Sequence, residues 1–368
     1  MPGQASVVRS FLTTFAIVFA AMAALYVFDA FLERMEVAES QAEAQRLYQR
    51  GQMMLQQRDY NGAIEQFRAA LSFSRQNPDY QLALARSFMG EGKYADAETT
   101  VRGLLDQDPS NGASNLTMAR ILVKEKRIGD ASFYYHRAIY GKWPDNAAAE
   151  RLQVRLELID LLARQGDKQE LLAELLPLQD ENLDLATRTR IANLYLAAGS
   201  PGRASDMFRE ILHEQPTNAA ALQGLGAAEF AKGNYRGARS YFLNASRLQP
   251  ANPAIRKQLD VAGKVLALDP MLRGLSSHER YERSTRLLQM ASQSVATCAG
   301  AAVPSDAQPL LDSAAQALSR RVRPNQENDA TNANLDLAEK LYQARRKDCK
   351  QPLGDDEEAM ALVLARTQ

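Results

Sequence analysis

Cysteine, tryptophan and histidine are scarce in this 368-residue chain, which holds two Cys, one Trp and three His. Cys298 and Cys349 lie far apart and form no CxxC pair. His136, His213 and His278 are isolated, with no HExxH and no carboxylate at ligand spacing, so no metal site is expected. Charge of one sign is also missing: 44 Lys+Arg balance 44 Asp+Glu, which leaves no global field for nucleic acid and makes such a partner unexpected. No GxxxxGK and no GxSxG occurs, so a phosphate-cradling loop and a nucleophile elbow both lack their carriers. Gly224-Leu225-Gly226 starts like a dinucleotide loop but follows no strand and falls in a helical pattern, where its glycines read as packing residues. Ser277-His278-Glu279-Arg280 sets Ser, His and Glu side by side, yet successive helical residues point about 100° apart and cannot converge as a triad. Asn115-Leu116-Thr117 and Asn244-Ala245-Ser246 match the glycosylation acceptor but lie in helical stretches. No catalytic residue, cofactor or small-molecule substrate is expected.

What is present is a period. Aligned on one position, six segments read Ala63, Ala97, Ala131, Leu171, Ala204 and Ala238, stepping by 34, 34, 40, 33 and 34 residues. Upstream of each sits Gly51, Ala85, Ala119, Ile159, Ala192 or Gly226; downstream sits Phe67, Val101, Tyr135, Leu175, Phe208 or Phe242. Antiparallel helices approach closely only where side chains are small. A Gly or Ala of the first helix is therefore expected to face an Ala of the second, with the large residue one turn later plugging the next repeat. Turns such as Gly92-Lys93-Tyr94, Gly166-Asp167, Gly199-Ser200-Pro201-Gly202 and Gly233-Asn234-Tyr235 separate the helices.

With Tyr60, Tyr94 and Tyr235 at the entry of second helices and Pro109, Pro216 and Pro250 closing three copies, this stretch resembles the tetratricopeptide-repeat family. The resemblance covers a little over half of the chain and implies an all-α solenoid of about six repeats. Residues 253–268 are expected to cap it. The fourth copy departs most, with Ile159 and Leu171 at small positions, Lys168 in place of Tyr and an insertion at residues 140–146; a wider helix pair or a kink is expected there. The resemblance also implies that first helices line a concave face that binds an extended peptide or a partner's helix. Along that face run Gln52, Arg86, Arg120, Asp160, Asn193 and Ala227. Arg86 and Arg120, joined by Lys124, Arg164 and Arg190 and flanked by Leu82, Met89, Leu116 and Val123, form a basic strip suited to an acidic segment or a carboxyl terminus. The competing account is a solvated face with ordinary charges. The strip does not reproduce the Lys/Asn clamp of chaperone-binding relatives, and Tyr48 and Phe230 read as apolar contacts.

Residues 11–28 carry no charge, and with their apolar flanks residues 7–32 reach the length of a bilayer span. The expectation is an uncleaved single-pass anchor (residues 1–33) holding the protein in the lipid bilayer, with the large C-terminal part on the extracytoplasmic, periplasmic side. The alternative is a signal cleaved near Ala21-Met22-Ala23, but the apolar run continues through Leu25-Tyr26-Val27-Phe28. After the array (residues 44–268), the C-terminal region 270–368 reads as a small bundle with helices near 277–298, 305–322, 330–349 and 355–366. Up-down-up packing of the first three places Cys298 near Cys349. In an oxidising compartment a bridge there contributes about 4 kcal/mol; two unpaired thiols are the alternative. The chain thus reads as a non-enzymatic, membrane-anchored scaffold that docks or stabilises subunits of a membrane or envelope complex. A soluble periplasmic binder and a catalytic or carrier C-terminal domain recruited by the array are the alternatives.

Overall fold

The computed structural model describes residues 3–144, 147–179, 181, 183–299, 307–349 and 354–366, all of them in helices or the turns between helices. The one ladder element among them is a single parallel bridge, Asn111 to Lys142. The chain divides into two compact units, Met1–Leu161 and Leu162–Gln368. The division falls inside the first helix of the irregular fourth copy, not at the ends of the repeat array.

The first unit contains α1 (Gly3–Gln56), α2 (Tyr60–Phe73), α3 (Pro78–Gly90), α4 (Tyr94–Gln107), α5 (Gly112–Lys124), α6 (Ile128–Ile139) and most of α7 (Ala148–Gln165). Side chains cap the starts of α2, α3 and α5: Asp59 Oδ1 accepts from Gly62 N, Asn77 Oδ1 from Asp79 N and Asn111 Oδ1 from Ser114 N. The first helices α1, α3 and α5 are followed by a left-handed residue one repeat apart, Arg58, Gly92 and Lys126, at φ 63°, 82° and 62°. Only Gly92 takes that conformation without steric cost.

The nearest neighbours of the first-helix glycines Gly51 and Gly226 are aromatic rings of the second helices. A Cβ on Gly51 would stand 2.5 Å from the Phe67 ring, so the small residue of a first helix makes room for the large residue of its own second helix. Phe67, Phe208 and Phe242 are fully buried, each burial contributing about 2–3 kcal/mol. The described part of the insertion, residues 140–144, folds back onto the start of α5. Trp143 Nε1 donates to Ala138 O, Gly112 N to Lys142 O and Lys142 N to Ser110 O. The indole fills the place of a side chain on Gly112, where a Cβ would lie 2.1 Å away.

Helix α1 is 54 residues long, about 80 Å at 1.5 Å per residue. Among its described side chains those of the last turns pack: Ala44, Leu47 and Tyr48 join Ala70, Leu71 and Tyr80. Before Leu25 its side chains are described only at Phe15, Phe19 and Met22. Among the described residues no helix is long and apolar enough to cross a membrane; much of the expected span lies outside the described side chains, so that span is not shown.

The second unit holds α8 (Lys168–Leu175), α9 (Leu185–Ala197), α10 (Pro201–Glu214), α11 (Ala219–Ala231), α12 (Tyr235–Leu248) and α13 (Pro253–Leu268), then α14 (Ser277–Ala299), α15 (Gln308–Ser319), α16 (Glu327–Asp348) and α17 (Asp355–Leu364). Here Gly166, Gly199 and Gly233 take the left-handed turn position. The glycines of Gly224-Leu225-Gly226 serve packing: added Cβ atoms would stand 2.1 Å from Phe208 and 2.6 Å from Phe242. The last four helices gather around Leu287, Leu288, Ala338, Leu341, Met360 and Val363. α14 and α16 run parallel, because His278 meets Glu327, Ser284 meets Asn334 and Ser294 meets Arg345 in step. That register leads from Cys298 to Cys349. Cys349 is disulfide-bonded, and the side chain of Cys298, the chain's other cysteine, lies outside the described residues.

Candidate functional site

In the first unit, consecutive first helices α3, α5 and α7 present Arg86, Arg120 and Glu157. Each arginine follows the small first-helix position, Ala85 or Ala119, so the period itself brings them to one face. A second regularity lies behind them. The residue two places before the small position of the next repeat meets the arginine: Thr117 before Ala119 meets Arg86, and Glu157 before Ile159 meets Arg120.

The two pairs differ in chemistry. Arg120 Nε and Nη2 donate to Glu157 Oε2 and Oε1 at 3.0 and 2.6 Å, a bidentate pair. Its Glu157 hydrogen bond holds Arg120 above the ordinary guanidinium range against the opposing effect of burial. Among the described residues Arg86 Nε has only Thr117 Oγ1, at 3.5 Å, and no carboxylate lies within ion-pair distance of its guanidinium. Burial first, then the charge of Arg120, pulls Arg86 below the ordinary range. The thin floor beside it is apolar, with Leu82 and Leu116 buried and Met89 and Val123 half-buried. Lys124 stands exposed at the end of α5.

The remaining residues of the expected strip belong to the second unit. Arg164 and Arg190 are exposed on α7 and α9, and Asn193 donates to Thr189 O of its own helix at 2.9 Å. Tyr48 stacks on Tyr80 with ring centres 4.7 Å apart, and Phe230 meets Tyr235 edge-on; both are packing contacts. Glu157 was not singled out from sequence, although its place two residues before Ile159, matching Thr117 before Ala119, was there to be read.

The second unit has a cleft of about 610 Å³ lined in part by Lys264, Arg286, Gln293, Ser294 and Arg345. Two of its cations are already matched. Arg345, 6% exposed, binds Ser294 and Glu357; Asp260 and Asp356 hold Lys264 above the usual lysine range. His278 turns to Glu327 while Glu279 accepts from Ser276 N and Oγ, so His278 and Glu279 turn to different partners. No group of three metal-ligating side chains occurs among the described residues.

A tetratricopeptide-repeat family model matches residues 54–113 and 195–259, one segment in each unit and together about a third of the chain. No curated protein matches the sequence. Among solved structures, the C-terminal part of a tetratricopeptide-repeat protein from Cytophaga hutchinsonii is 14% identical, with 66% of this chain and 94% of that one covered and a TM-score of 0.45. YrrB, described as a TPR protein with an unusual peptide-binding site, is 15% identical over 52% of this chain and 95% of its own, with a TM-score of 0.41. PilW, a type IV pilus biogenesis factor, is 18% identical over 59% and 98%, with a TM-score of 0.40. Likenesses of this degree carry no argument about function.

Proposed function

We propose that this chain is a membrane-anchored, non-enzymatic scaffold whose stacked helix pairs dock protein subunits of a membrane or envelope complex. The observation that carries the reading is α1. Phe15, Phe19, Leu25, Val27, Phe28 and Phe31 are all more than half exposed along it, around the whole circumference at about 100° per residue, and charged residues crowd in only from Asp29 onward. In water such a surface is a liability; in lipid it is a solvated one. Residues 7–32 insert, and the units beyond them stand on the extracytoplasmic side, where the disulfide at Cys349 is at home. The apolar exposure continues through Leu32 and Met35, which favours an intact anchor over a cleaved leader. Tethering then acts by confining partners to a plane, which raises their effective concentration with no new contact.

Two measurements test this. Alkaline extraction of membranes should leave the chain in the pellet with its N-terminal residues present in the intact mass. Gentle detergent solubilisation should co-purify it with other subunits. Recovery of the chain alone at native abundance, or of a mature chain starting beyond residue 23 in the soluble fraction, defeats the proposal.

A further inference from the structure

Of the two arginines on the first unit's groove, one has its carboxylate supplied from within and the other does not. Arg120 is closed by both oxygens of Glu157. Arg86 occupies the equivalent place one repeat earlier and finds a hydroxyl, Thr117 Oγ1, which itself donates to Ala113 O. Its Nε is thereby engaged, and its two Nη groups have no partner among the described residues. Asp79 attracts this guanidinium only from a distance; a half-buried guanidinium with no carboxylate at hydrogen-bond reach is costly, and a substitution of Thr117 by an acid would lower that cost as Glu157 does for Arg120. The groove keeps it open instead, over the apolar floor of Leu82 and Leu116.

We infer that this groove takes an extended protein segment bearing one side-chain carboxylate, which seats on the outer nitrogens of Arg86, while Glu157 denies Arg120 to a second acid. The inference rests on the docking role proposed above. Charge complementarity identifies the occupant: one open fork matches one carboxylate, and the guanidinium edge left free is the one that binds it with two parallel hydrogen bonds. An internal Asp or Glu fits better than a chain end, because first helices line the groove on both sides of Arg86: α1 with the half-buried Gln52 before it, and α5 with Arg120 after it. A segment can therefore run past Arg86 in either direction. Glu157 acts as the specificity-determining residue, since it sets how many acids the face accepts.

The test uses the full chain in detergent against an array of octapeptides built from Leu, Val and Ala, amidated at the C-terminus. One Glu is walked through the positions, with Gln controls, two-Glu members and a free-acid set lacking Glu. One Glu should strengthen binding about ten- to hundred-fold over Gln, as expected for a charge-assisted pair in a partly desolvated site. Arg86→Gln should abolish that preference and Arg86→Lys should keep part of it. Glu157→Gln should shift the preference to two-Glu peptides. Circular dichroism and helix-level hydrogen exchange verify that each variant is folded. Equal binding of Glu and Gln peptides, unchanged in Arg86→Gln, overturns the inference and leaves the docking role standing. Binding of no peptide overturns the docking role of this groove as well. A preference of the wild-type chain for free C-termini or for two acids refutes the choice of occupant or the role of Glu157.

Discussion

Glu229 on α11 offers the most demanding quantitative test of the second unit. Its side chain is 6% exposed, and Oε1 accepts from Ser205 Oγ at 3.0 Å, Arg209 Nη2 at 2.9 Å and Lys232 Nζ at 2.8 Å; Oε2 accepts from Asn234 Nδ2 at 2.8 Å. In Glu229→Gln an amide nitrogen must replace one oxygen, and either choice sets donor against donor. Asn234 cannot turn over to compensate, because its Oδ1 caps α12 at Gly237 N. Arg209 and Lys232 are half-exposed and regain water, so the full cost of a stranded buried charge does not apply; a loss of about 2–3 kcal/mol is expected. At about 1.36 kcal/mol per decade, exchange of α10–α12 amide hydrogens should quicken about a hundred-fold at neutral pH in the detergent-solubilised protein. The pH dependence adds a sign. Burial pushes the Glu229 carboxyl up, but its hydrogen bonds from Lys232, Asn234 and Ser205 outweigh this and hold it below the usual 4.5. A depressed folded value gives stability that is complete above 4.5 and is lost as the pH falls through the folded value. The gap between wild type and Glu229→Gln must therefore shrink in acid below 4.5. A change smaller than threefold at neutral pH, or a gap that widens in acid, refutes the assignment of this network.

The turn residues make a prediction of opposite direction. Lys126 sits at φ 62° where Gly92 sits at φ 82° one repeat earlier, so Lys126→Gly should stabilise the first unit by about 1 kcal/mol, read as slower exchange in α5 and α6. Gly224→Ala places a methyl 2.1 Å from the fully buried Phe208 ring; a loss of about 1–3 kcal/mol is expected, and a lower denaturation midpoint confined to the second unit is the readout. Cys349→Ser should remove about 4 kcal/mol from the α14–α17 bundle on the loop-entropy model. A non-reduced digest should contain the Cys298 and Cys349 peptides as one species; two separate thiol peptides refute that pairing. His278 is held above its usual 6.5 chiefly by the Glu327 hydrogen bond. Its contribution is complete below 6.5 and is lost as the pH rises through the raised value, so His278→Ala should matter at pH 6 and not at pH 9, as read by exchange at the start of α16.

The helical register was legible because packing leaves a mark at every repeat. Tyr60, Tyr94 and Tyr235 open α2, α4 and α12, and residues 253–268 form α13 as expected. The contact behind the small residues was legible in part: Phe208 of one copy meets Gly224 of the next, as a plug between repeats should. Gly51 and Gly226 face the aromatics of their own repeats, Phe67 and Phe242, and a spacing pattern states which positions are small without stating what fills the space. The insertion at residues 140–146 was visible as a broken step, but its fold was not: the seat of Trp143 on Gly112 joins residues 31 apart, and the β-bridge beside it is long-range. The unit boundary inside α7 was likewise hidden, since helix α7 continues through it with unbroken helical periodicity.

The groove shows where single-residue reading reaches its limit. Arg86 and Arg120 occupy one register position and look interchangeable along the sequence, which is why they were grouped with Lys124 into a uniformly basic strip. Charge in a stack of helix pairs is decided between repeats, by what the next first helix places two residues ahead of its small position. Thr117 and Glu157 at that place make one arginine open and the other closed. The relevant unit of sequence is therefore a pair of positions in adjacent repeats, Arg86 with Thr117 and Arg120 with Glu157. Exchanging the two partners tests that rule directly: Thr117→Glu with Glu157→Thr should close Arg86, open Arg120 and move the carboxylate site one repeat along the groove without changing the number of charges it holds.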